Sequence, residues 1–386
     1  MQKKGKIFIR TFGCIQNTAD SERVKAYYWE KGFSETDNWK DSDMVIINTC
    51  IVRESAENRA YGLINEVNKW NKRINPLSLR DISLEKGNFK HGVKKIKIIV
   101  TGCLAGTAYR DKTGKKLKQL QINFPEVDQF LPIDKISFQI DPLRNSKETA
   151  LIPISSGCSN FCSFCIVPFA RGPEVSRSFE EILKEVDGVI KKGFKKVMLI
   201  GQNVNSYGSD LNHSFDDKTS SWVHMGKKRI RSLFHVLLEE VAKKGLENIS
   251  FVSSNPWDFS DELIDVIAKY ANINKLLHLP LQAGDDKILE KMNRGYTAEE
   301  YLDLIKKIRA KVKDVRFSTD IIIGFPGEDE EAFNNTVEVC KKANFEIAYL
   351  NKYSPRKGTV SAKMYPNDIP QAEKKRRWRV LNELIN

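Results

Sequence analysis

Three cysteines stand close together in residues 157–165 (GCSNFCSFC), where Cys158, Cys162 and Cys165 have the spacing C-x3-C-x2-C. Three thiolates so near one another in the sequence can bind three irons of an iron–sulfur cube. No fourth cysteine and no histidine lies nearby to bind the remaining iron. The pattern therefore predicts a cluster with one open iron, which can bind a small chelating ligand. The amino and carboxylate groups of S-adenosylmethionine (SAM) suit such an iron.

Two other interpretations of this cysteine loop remain open. A structural zinc site is the main alternative, but it requires four ligands in a closed shell. The five histidines all lie away from the loop in the sequence, at His91, His213, His224, His235 and His278. A disulfide is the second alternative, although an odd number of cysteines, seven, favours metal or redox use over structural bridges.

A second set of cysteines follows predicted strands in the first third of the chain. The strands are predicted at residues 6–11, 43–48 and 96–101, and the cysteines after them are Cys14, Cys50 and Cys103. Equivalent ends of parallel strands lie along one edge of a sheet, so these cysteines should converge on a second cluster site with three protein ligands. The alternative is that cysteine is a common small residue of protein cores. Cys340, in the predicted helix 336–342, has no such neighbours and is interpreted as a core or surface residue with no part in either cluster.

The three strands alternate with helices predicted at residues 20–31 and 54–70. This alternation predicts an α/β fold with a parallel, Rossmann-like sheet and helices on both faces, because right-handed crossovers leave few other packings. We assign residues 1–145 to this domain and to the second cluster. Residues 69–95, rich in Asn, Lys and Ser, are interpreted as a long loop or insertion.

The βα alternation continues in residues 146–386, with helices predicted at 179–192 and 232–244. Six strands are predicted there, at residues 151–155, 196–200, 249–253, 275–281, 315–323 and 347–353. Six βα units predict a partial (βα)6 TIM-like barrel, in which chemistry gathers at the carboxyl ends of the strands. The polar residues 208–229 are interpreted as a surface insertion.

Polar side chains follow the predicted barrel strands at those ends. They are Gln202, Asn203, Asn205, Ser254, Asn255, Gln282 and Arg356. The fifth strand ends in the turn 323–328 (IGFPGE), whose glycines permit the close backbone approach that an adenosine would need. Three arginines, Arg171, Arg177 and Arg294, are candidate contacts for a carboxylate or a phosphate. Each of them has the alternative of an ordinary ion pair.

The chain of 386 residues carries 63 Lys and Arg against 50 Asp and Glu, a formal net charge of +13. This excess favours a polyanionic partner, with nucleic acid first, although a solvated lysine-rich surface is the alternative. No apolar run approaches the length of a membrane span, and the apolar stretch 7–11 is too short for a signal-peptide core. We therefore expect a cytoplasmic protein.

The motifs resemble a known family. The cysteine loop, with Phe164 before its last cysteine, is similar to that of the radical SAM superfamily. The N-terminal three-cysteine domain and residues 175–177 (VSR) resemble its methylthiotransferase branch. Four further stretches resemble the tRNA enzymes of MiaB type within that branch, and these are residues 48–54 (NTCIVRE), 201–208 (GQNVNSYG), 292–296 (MNRGY) and 353–356 (YSPR).

The resemblance implies a reaction in which the C2–H of an isopentenylated adenosine beside the tRNA anticodon is replaced by a methylthio group. It implies two [4Fe-4S] clusters. The cluster in the 157–165 loop would pass an electron to SAM and release methionine and a 5′-deoxyadenosyl radical. The N-terminal cluster would carry the sulfur, and a second SAM would donate the methyl group. The expected partners are tRNA, an external electron donor and a sulfur source.

The residues assigned to this function fall into three groups. The six cysteines of the two triads are the predicted cluster ligands, and the three in the loop are also the predicted catalytic residues. The predicted SAM contacts are Phe164, Arg177, Gln202, Asn203, Ser254, Gln282 and Gly324. The predicted contacts of the substrate tRNA are Arg53, Arg171, Arg294, Tyr353 and Arg356.

The sequence also departs from the family pattern. Family members usually continue into a small RNA-binding β-barrel (TRAM) domain, which we expect to be absent here because the sequence stops after the basic helix 371–384. Asn255 and Ala283 stand where the family often has His and Ser, so neither is assigned a proton-transfer role.

Two alternative functions remain open. A sister methylthiotransferase would act on threonylcarbamoyladenosine in tRNA or on an aspartate of a ribosomal protein. A non-catalytic metal- or RNA-binding protein belongs to a different class and predicts about one metal ion per chain and no cleavage of SAM.

Overall fold

The computed structural model describes residues 4–74, 95–136, 140–211, 221–224 and 227–386, and only the backbone of the strands within 221–230. The chain divides into two compact units. The first unit contains the residues up to Asn145 together with Phe169–Arg171. The second contains Ser146–Pro168 and Gly172–Asn386.

The first unit is built on a five-stranded parallel sheet. Its strands are β1 (Gly5–Phe12), β2 (Phe33–Glu35), β3 (Met44–Thr49), β4 (Lys97–Gly102) and β5 (Gln129–Leu131). Their order in the sheet is β2-β1-β3-β4-β5, and every neighbouring pair is parallel. The helices are α1 (Ile15–Glu30), α2 (Glu54–Ile74), α3 (Cys103–Tyr109) and α4 (Lys115–Asn123).

Alternate residues of β3 pack on opposite faces of this sheet. Val45 shares one apolar core with Ala60 and Ile64 of α2. Its neighbour Ile46 belongs to a separate core that contains Val24 of α1. Successive side chains of a strand point to opposite faces, so a strand that is apolar throughout must be covered on both. The predicted parallel sheet with helices on both faces is confirmed.

Two helices of this unit differ from their predicted bounds. Helix α1 begins at Ile15 rather than at residue 20, because the Asn17 side chain accepts a hydrogen bond (3.3 Å) from the backbone N–H of Cys14 and satisfies a free donor at the helix N-terminus. Helix α2 continues to Ile74, so the first residues of the predicted insertion 69–95 are helical. Residues 75–94 of the predicted insertion lie outside the described part of the chain.

The strands of the second unit follow the predicted succession. They are β6 (Thr149–Pro153), β7 (Ser155–Ser156), β8 (Val175–Ser176), β9 (Lys196–Ile200), β10 (Ser221–His224), β11 (Lys227–Ile230), β12 (Asn248–Phe251), β13 (Leu276–His278), β14 (Arg316–Ile323) and β15 (Ile347–Lys352). Parallel sheets form in the orders β12-β9-β6 and β13-β14-β15. A parallel bridge between Ile249 and Ile273 links the two sheets.

Six parallel strands in sequence order thus form an open array, which confirms the predicted partial barrel. The remaining strands form two antiparallel pairs, β7 with β8 and β10 with β11. The second pair lies largely within the predicted insertion 208–229, of which residues 212–220, 225 and 226 lie outside the described part. Strand β13 ends at His278 rather than at residue 281, because Pro280 lacks a backbone N–H and Gln282 has a positive φ of 70°.

Nine helices lie between residues 167 and 385 of the described chain, and the last three residues of the first of them belong to the first unit. They are α5 (Val167–Arg171), α6 (Phe179–Lys191), α7 (Phe234–Ala242), α8 (Asp261–Lys269), α9 (Asp286–Lys291), α10 (Ala298–Lys311), α11 (Glu330–Ala343), α12 (Val360–Met364) and α13 (Gln371–Ile385). Apolar strand and helix residues, including Leu199, Phe317 and Leu237, form one continuous core. No helix that the structure describes is long and apolar enough to cross a membrane.

Candidate iron–sulfur and cofactor sites

The C-x3-C-x2-C loop lies between β7 and α5 and is held by backbone hydrogen bonds. The N–H of Gly157 donates to Oε1 of Gln202 (2.6 Å), and the N–H of Cys158 donates to the carbonyl of Gly172 (3.1 Å). Gly157 has φ +82°, and a Cβ atom there would stand 2.0 Å from the carbonyl oxygen of Pro173. Only glycine fits at this position, so the first turn of the loop is fixed by the backbone rather than by the cysteines.

Ionisation of the loop thiols is opposed by their surroundings. Burial, with a smaller contribution from the charge of Cys162, raises the pKa of Cys158 to about 12. Burial and the same neighbour also raise the pKa of Cys165. Thiolates that repel one another in a buried site require a compensating positive group. The three side chains therefore fit a metal cluster, whose irons would stabilise the thiolate forms.

The grouping of ligands also bears on the zinc alternative. Among the described residues, no three His, Cys, Asp or Glu side chains form a group that could hold a metal ion. A zinc ion needs its ligands around one point. An iron–sulfur cube does not, since each of its cysteine ligands binds a different iron. The described residues therefore offer no closed set of four zinc ligands at this loop.

Arg294 lies beside this cysteine loop. Its Nη1 is 3.4 Å from Sγ of Cys162 and 3.2 Å from Oδ1 of Asn255. Its Nη2 donates to the carbonyl of Pro280, and its guanidinium carbon lies 4.4 Å from the centre of the Trp257 ring. The side chain is buried, and its donors are directed at protein atoms. This position suits an outer partner of Cys162, whereas the predicted contact with tRNA gains no support from it.

Ser254 follows β12 and carries a hydroxyl that has no hydrogen-bond partner among the residues that the structure describes. The residue is 1% exposed, and its Oγ is buried. A buried hydroxyl without a hydrogen bond lowers the stability of the folded protein. A hydroxyl of this kind at the carboxyl end of a barrel strand fits a hydrogen bond to a bound ligand. The SAM contact of Ser254 stays a prediction, and the orphaned hydroxyl fits it.

The polar residues after β9 and β12 bond to one another. Nδ2 of Asn203 donates to Oδ2 of Asp258 (2.6 Å), and Nδ2 of Asn205 donates to the carbonyl of Asn255 (2.8 Å). In return, the N–H of Asn255 donates to Oδ1 of Asn205 (2.9 Å). The structure therefore brings these predicted residues together, and their mutual bonds order the strand ends.

Other predicted SAM contacts have structural neighbours. Nη1 of Arg177 donates to the carbonyl of Pro153 (2.7 Å) and to Oε2 of Glu185 (2.6 Å) in a buried ion pair. Phe164 is half-buried against the barrel core. The N–H of Gln282 donates to the carbonyl of Asp320, which ties the strand end to β14. All of these contacts lie within the protein, and the predicted SAM contacts of Arg177, Phe164 and Gln282 stay predictions.

The side chains of the predicted tRNA contacts differ in how far they are exposed to solvent. Tyr353 is buried, and its hydroxyl lies 3.0 Å from Oγ of Ser361, so it is a core residue. Arg356 is half-buried after β15. Arg53 is exposed and directly precedes α2. Of these three side chains, only the two arginines are accessible to a partner.

In the first unit, the structure places Cys50 and Cys103, which follow β3 and β4, beside one another, and the exposed Cys14 follows the neighbouring strand β1. Thr49 at the end of β3 is paired with Phe12 of β1 and with Gly102 of β4. Cys50 and Cys103 directly follow this row of paired residues, and the thiol of Cys50 donates to Cys103. This hydrogen bond and burial raise the pKa of Cys50, and the same bond lowers the pKa of Cys103. As in the barrel loop, the crowded thiols fit a cluster that accepts thiolates.

Two asparagines that the sequence analysis did not assign hold the backbone of this site. Nδ2 of Asn17 donates to Oδ1 of Asn48 (3.0 Å), and Nδ2 of Asn48 donates to Oγ of Ser21 (2.9 Å). Gly102 has φ +84°, and a Cβ atom there would lie 2.2 Å from Oδ1 of Asn48. The network therefore packs directly against the residue before Cys103. Asn48 is the next-to-last residue of the buried strand β3, and a polar residue at such a position is the sequence signal that could have identified it.

Arg171 belongs to the first unit and lies next to the N-terminal triad. It is 4% exposed, and its Nη2 donates to Oδ2 of Asp20 (2.6 Å). The other oxygen of Asp20 accepts a hydrogen bond from Nε2 of Gln16 (3.3 Å). The positive charge of Arg171 contributes to the lowered pKa of Cys103, after the larger effect of Cys50. This buried ion pair gives the predicted tRNA contact of Arg171 no support.

Asp20→Ala is expected to destabilise the apoprotein by about 3–5 kcal/mol, because it leaves the charge of Arg171 buried without a partner. Urea unfolding of the reduced apoprotein measures this change. The matched control is Glu30→Ala, which removes an exposed carboxylate from the same helix and should change the unfolding free energy by less than about 0.5 kcal/mol. Equal midpoints for the two variants would show that the pair does not contribute as described.

Two family models match this chain. The model of the radical SAM superfamily matches residues 152–340. The model described as uncharacterized protein family UPF0004 matches residues 6–124. The first match contains the barrel loop, and the second contains the N-terminal triad.

Curated relatives match nearly the whole chain. The tRNA-2-methylthio-N6-dimethylallyladenosine synthase of Thermotoga petrophila is 39% identical over 98% of this chain and 81% of its own length. The synthases of the same name from Thermosipho melanesiensis and Fusobacterium nucleatum are 40% and 37% identical, over 96% and 99% of this chain and 81% and 83% of their own lengths.

Solved structures share the fold at low identity. The radical SAM methyltransferase TsrM from Kitasatospora setae, with cobalamin and a [4Fe-4S] cluster bound, matches with a TM-score of 0.54 and 12% identity over 92% of this chain and 77% of that chain. The cobalamin-dependent radical SAM enzyme OxsB matches with a TM-score of 0.53 and 11% identity over 98% of this chain and 55% of that chain.

Proposed function

Since this chain belongs to the family of tRNA-2-methylthio-N6-dimethylallyladenosine synthases, which are radical SAM enzymes, we propose that it is a tRNA methylthiotransferase. Its reaction replaces the C2–H of N6-isopentenyladenosine beside the anticodon with a methylthio group. The observation that carries the proposal is the presence of two separate cysteine triads, each at the carboxyl ends of parallel strands, in a chain with this relationship.

The cofactors are two [4Fe-4S] clusters and SAM, which when bound supply the radical, the sulfur and the methyl group. We propose that Cys158, Cys162 and Cys165 hold the cluster that binds SAM. Residues 146–386 form the radical SAM domain around it. Ser254, whose buried hydroxyl has no partner in the described part of the chain, is proposed to bond to SAM, and Arg294 is proposed to orient Cys162.

The N-terminal domain, residues 1–145, is proposed to hold the cluster that carries sulfur. Its ligands are Cys14, Cys50 and Cys103. The hydrogen bonds of Asn17 and Asn48 keep the surrounding backbone in place before metal is bound. A thiolate site of this kind needs a reducing compartment, which supports the cytoplasm as the location.

The tRNA is proposed to bind through its phosphates and to present a base from the anticodon loop. The net charge of +13 supports a polyanionic substrate. Loop bases can be turned out of the stack at modest cost, which brings the adenosine into a cavity. Arg53 and Arg356 are the proposed contacts, because they are the accessible members of the predicted set. An external electron donor and a sulfur source complete the proposed partners.

The proposed substrate can be tested with the purified protein. After anaerobic reconstitution with iron and sulfide, the protein is incubated with SAM, a chemical reductant and an isopentenylated anticodon stem-loop, and the digested nucleosides are analysed by mass spectrometry. We expect 2-methylthio-N6-isopentenyladenosine and no conversion of a stem-loop with unmodified adenosine. Conversion only of a threonylcarbamoyladenosine stem-loop would assign the chain to the sister activity instead.

A further inference from the structure

Helix α13 carries two buried cations beside several exposed ones. Lys374 and Arg377 are 0% and 4% exposed, whereas Lys375, Arg376 and Arg379 on the same helix are exposed. Lysine and arginine are rarely buried unless they are paired. The partners of these two side chains therefore indicate what the inner face of the helix does.

Arg377 binds the residue that closes the turn after β14. Its Nη1 donates to Oε2 (2.9 Å) and to the backbone carbonyl (2.6 Å) of Glu328. The same Oε2 accepts the N–H of Gly324 (2.6 Å). Glu328 is 2% exposed, so this chain of charge-assisted bonds is shielded from water. Arg377 thus fixes the carboxylate that holds the two ends of the turn together.

Lys374 supports the same turn from the side. Its Nζ donates to the carbonyl of Tyr353 (3.1 Å) and to Oδ1 of Asn367 (2.6 Å). Gly324 has φ +70°, and a Cβ atom there would lie 2.4 Å from Cγ of Lys374. The lysine stem therefore fills the space that a side chain at position 324 would need, and it packs directly on the turn backbone.

We propose that Lys374 and Arg377 are positioning residues, which hold the Gly324–Glu328 turn in the conformation that binds the adenosine part of SAM. The inference rests on the proposed function for the identity of this ligand. A turn that is already ordered before binding loses little conformational entropy when the ligand binds. Side chains that order the turn should therefore increase the affinity for SAM. The hydrogen bonds of Lys374 and Arg377 described above go to no predicted cluster ligand, so cluster content should not depend on either side chain.

Arg377→Met tests this proposal through two measurements. In the apoprotein, amide hydrogen exchange at Gly324 should be faster by about tenfold or more, because the carboxylate that accepts this N–H loses its partner. In the cluster-loaded protein, the Kd for SAM should rise by about tenfold, with unchanged iron content. Arg377→Lys should lie between wild type and Arg377→Met, because a lysine retains the charge but cannot reproduce both bonds to Glu328.

Arg379→Met is the matched control, since it removes an exposed cation from the same helix and should change neither quantity. If Arg377→Met fails to fold, Lys374→Met retains the packing against Gly324 and should raise the SAM Kd to a smaller extent. Wild-type exchange and wild-type SAM affinity in Arg377→Met would overturn the proposal. Faster exchange with unchanged SAM affinity would also overturn it, because the turn would be braced without serving SAM. A wild-type protein that binds no SAM would instead overturn the proposed function.

Discussion

Cys158→Ala is expected to abolish the reductive cleavage of SAM, because the barrel cluster loses one of its three protein ligands. Even outer partners of metal ligands typically contribute 10–100-fold to activity or affinity, so the loss of a direct ligand should exceed about 100-fold. The measurement is the amount of 5′-deoxyadenosine and methionine formed per chain, by chromatography, after anaerobic reconstitution and chemical reduction.

Cys340→Ala is the control for Cys158→Ala. Cys340 is also buried, and it lies within α11. Burial raises the pKa of its thiol to about 12. SAM cleavage by Cys340→Ala should match that of wild type. Equal cleavage by Cys158→Ala and Cys340→Ala would contradict the assignment of the barrel loop as the SAM-binding cluster site.

Cys103→Ala is expected to separate the two halves of the reaction. Removing this ligand from the N-terminal triad should reduce the methylthiolated product to background, because the site proposed to carry sulfur is lost. SAM cleavage should continue, since the loop at residues 157–165 retains its three cysteines. Nucleoside mass spectrometry and 5′-deoxyadenosine analysis of the same reaction mixture measure both quantities.

The contrary result for Cys103→Ala is also well defined. A variant that still forms 2-methylthio-N6-isopentenyladenosine at the wild-type rate would show that the N-terminal triad does not carry the sulfur. Thr107→Ala is a suitable control in the same helix, because its hydroxyl donates to the carbonyl of Cys103 without being a cluster ligand. We expect this control to retain product formation.

The sequence was most informative where function depends on local spacing or on strand ends. The cluster site of the barrel loop could be predicted because its three cysteines, Cys158, Cys162 and Cys165, lie close together in the sequence. Cys14, Cys50 and Cys103 were identified because each follows an apolar strand, and register in a parallel sheet brings such positions together. The α/β alternation likewise predicted the parallel strands of both units, since buried parallel strands are apolar throughout.

The roles of the arginines were less accessible from the sequence. Arg171 forms an ion pair with Asp20, which is 151 positions away, and no local sequence pattern predicts such a pair. Arg377 was interpreted only as part of a basic helix, because its partner Glu328 lies 49 positions earlier. A charged side chain is buried only when tertiary packing supplies its partner, so its location depends on contacts that periodicity does not encode.

Helix and strand ends show the same limit. Helix α1 begins at Ile15 through a hydrogen bond between Asn17 and the backbone of Cys14, which are uncommon capping partners. Strand β13 is short because Pro280 and the positive φ of Gln282 interrupt the ladder. In both cases local backbone geometry outweighed the apolar pattern on which the predicted bounds were based.

The central claim is that the chain holds two independent clusters, one in each cysteine triad. Its most direct test is the iron and acid-labile sulfide content of three anaerobically reconstituted proteins: wild type and two variants in which all three cysteines of one triad are replaced by alanine. We predict about eight irons and eight sulfides per chain for wild type and about four of each for either variant. About one metal ion and no sulfide in the wild type would contradict the claim.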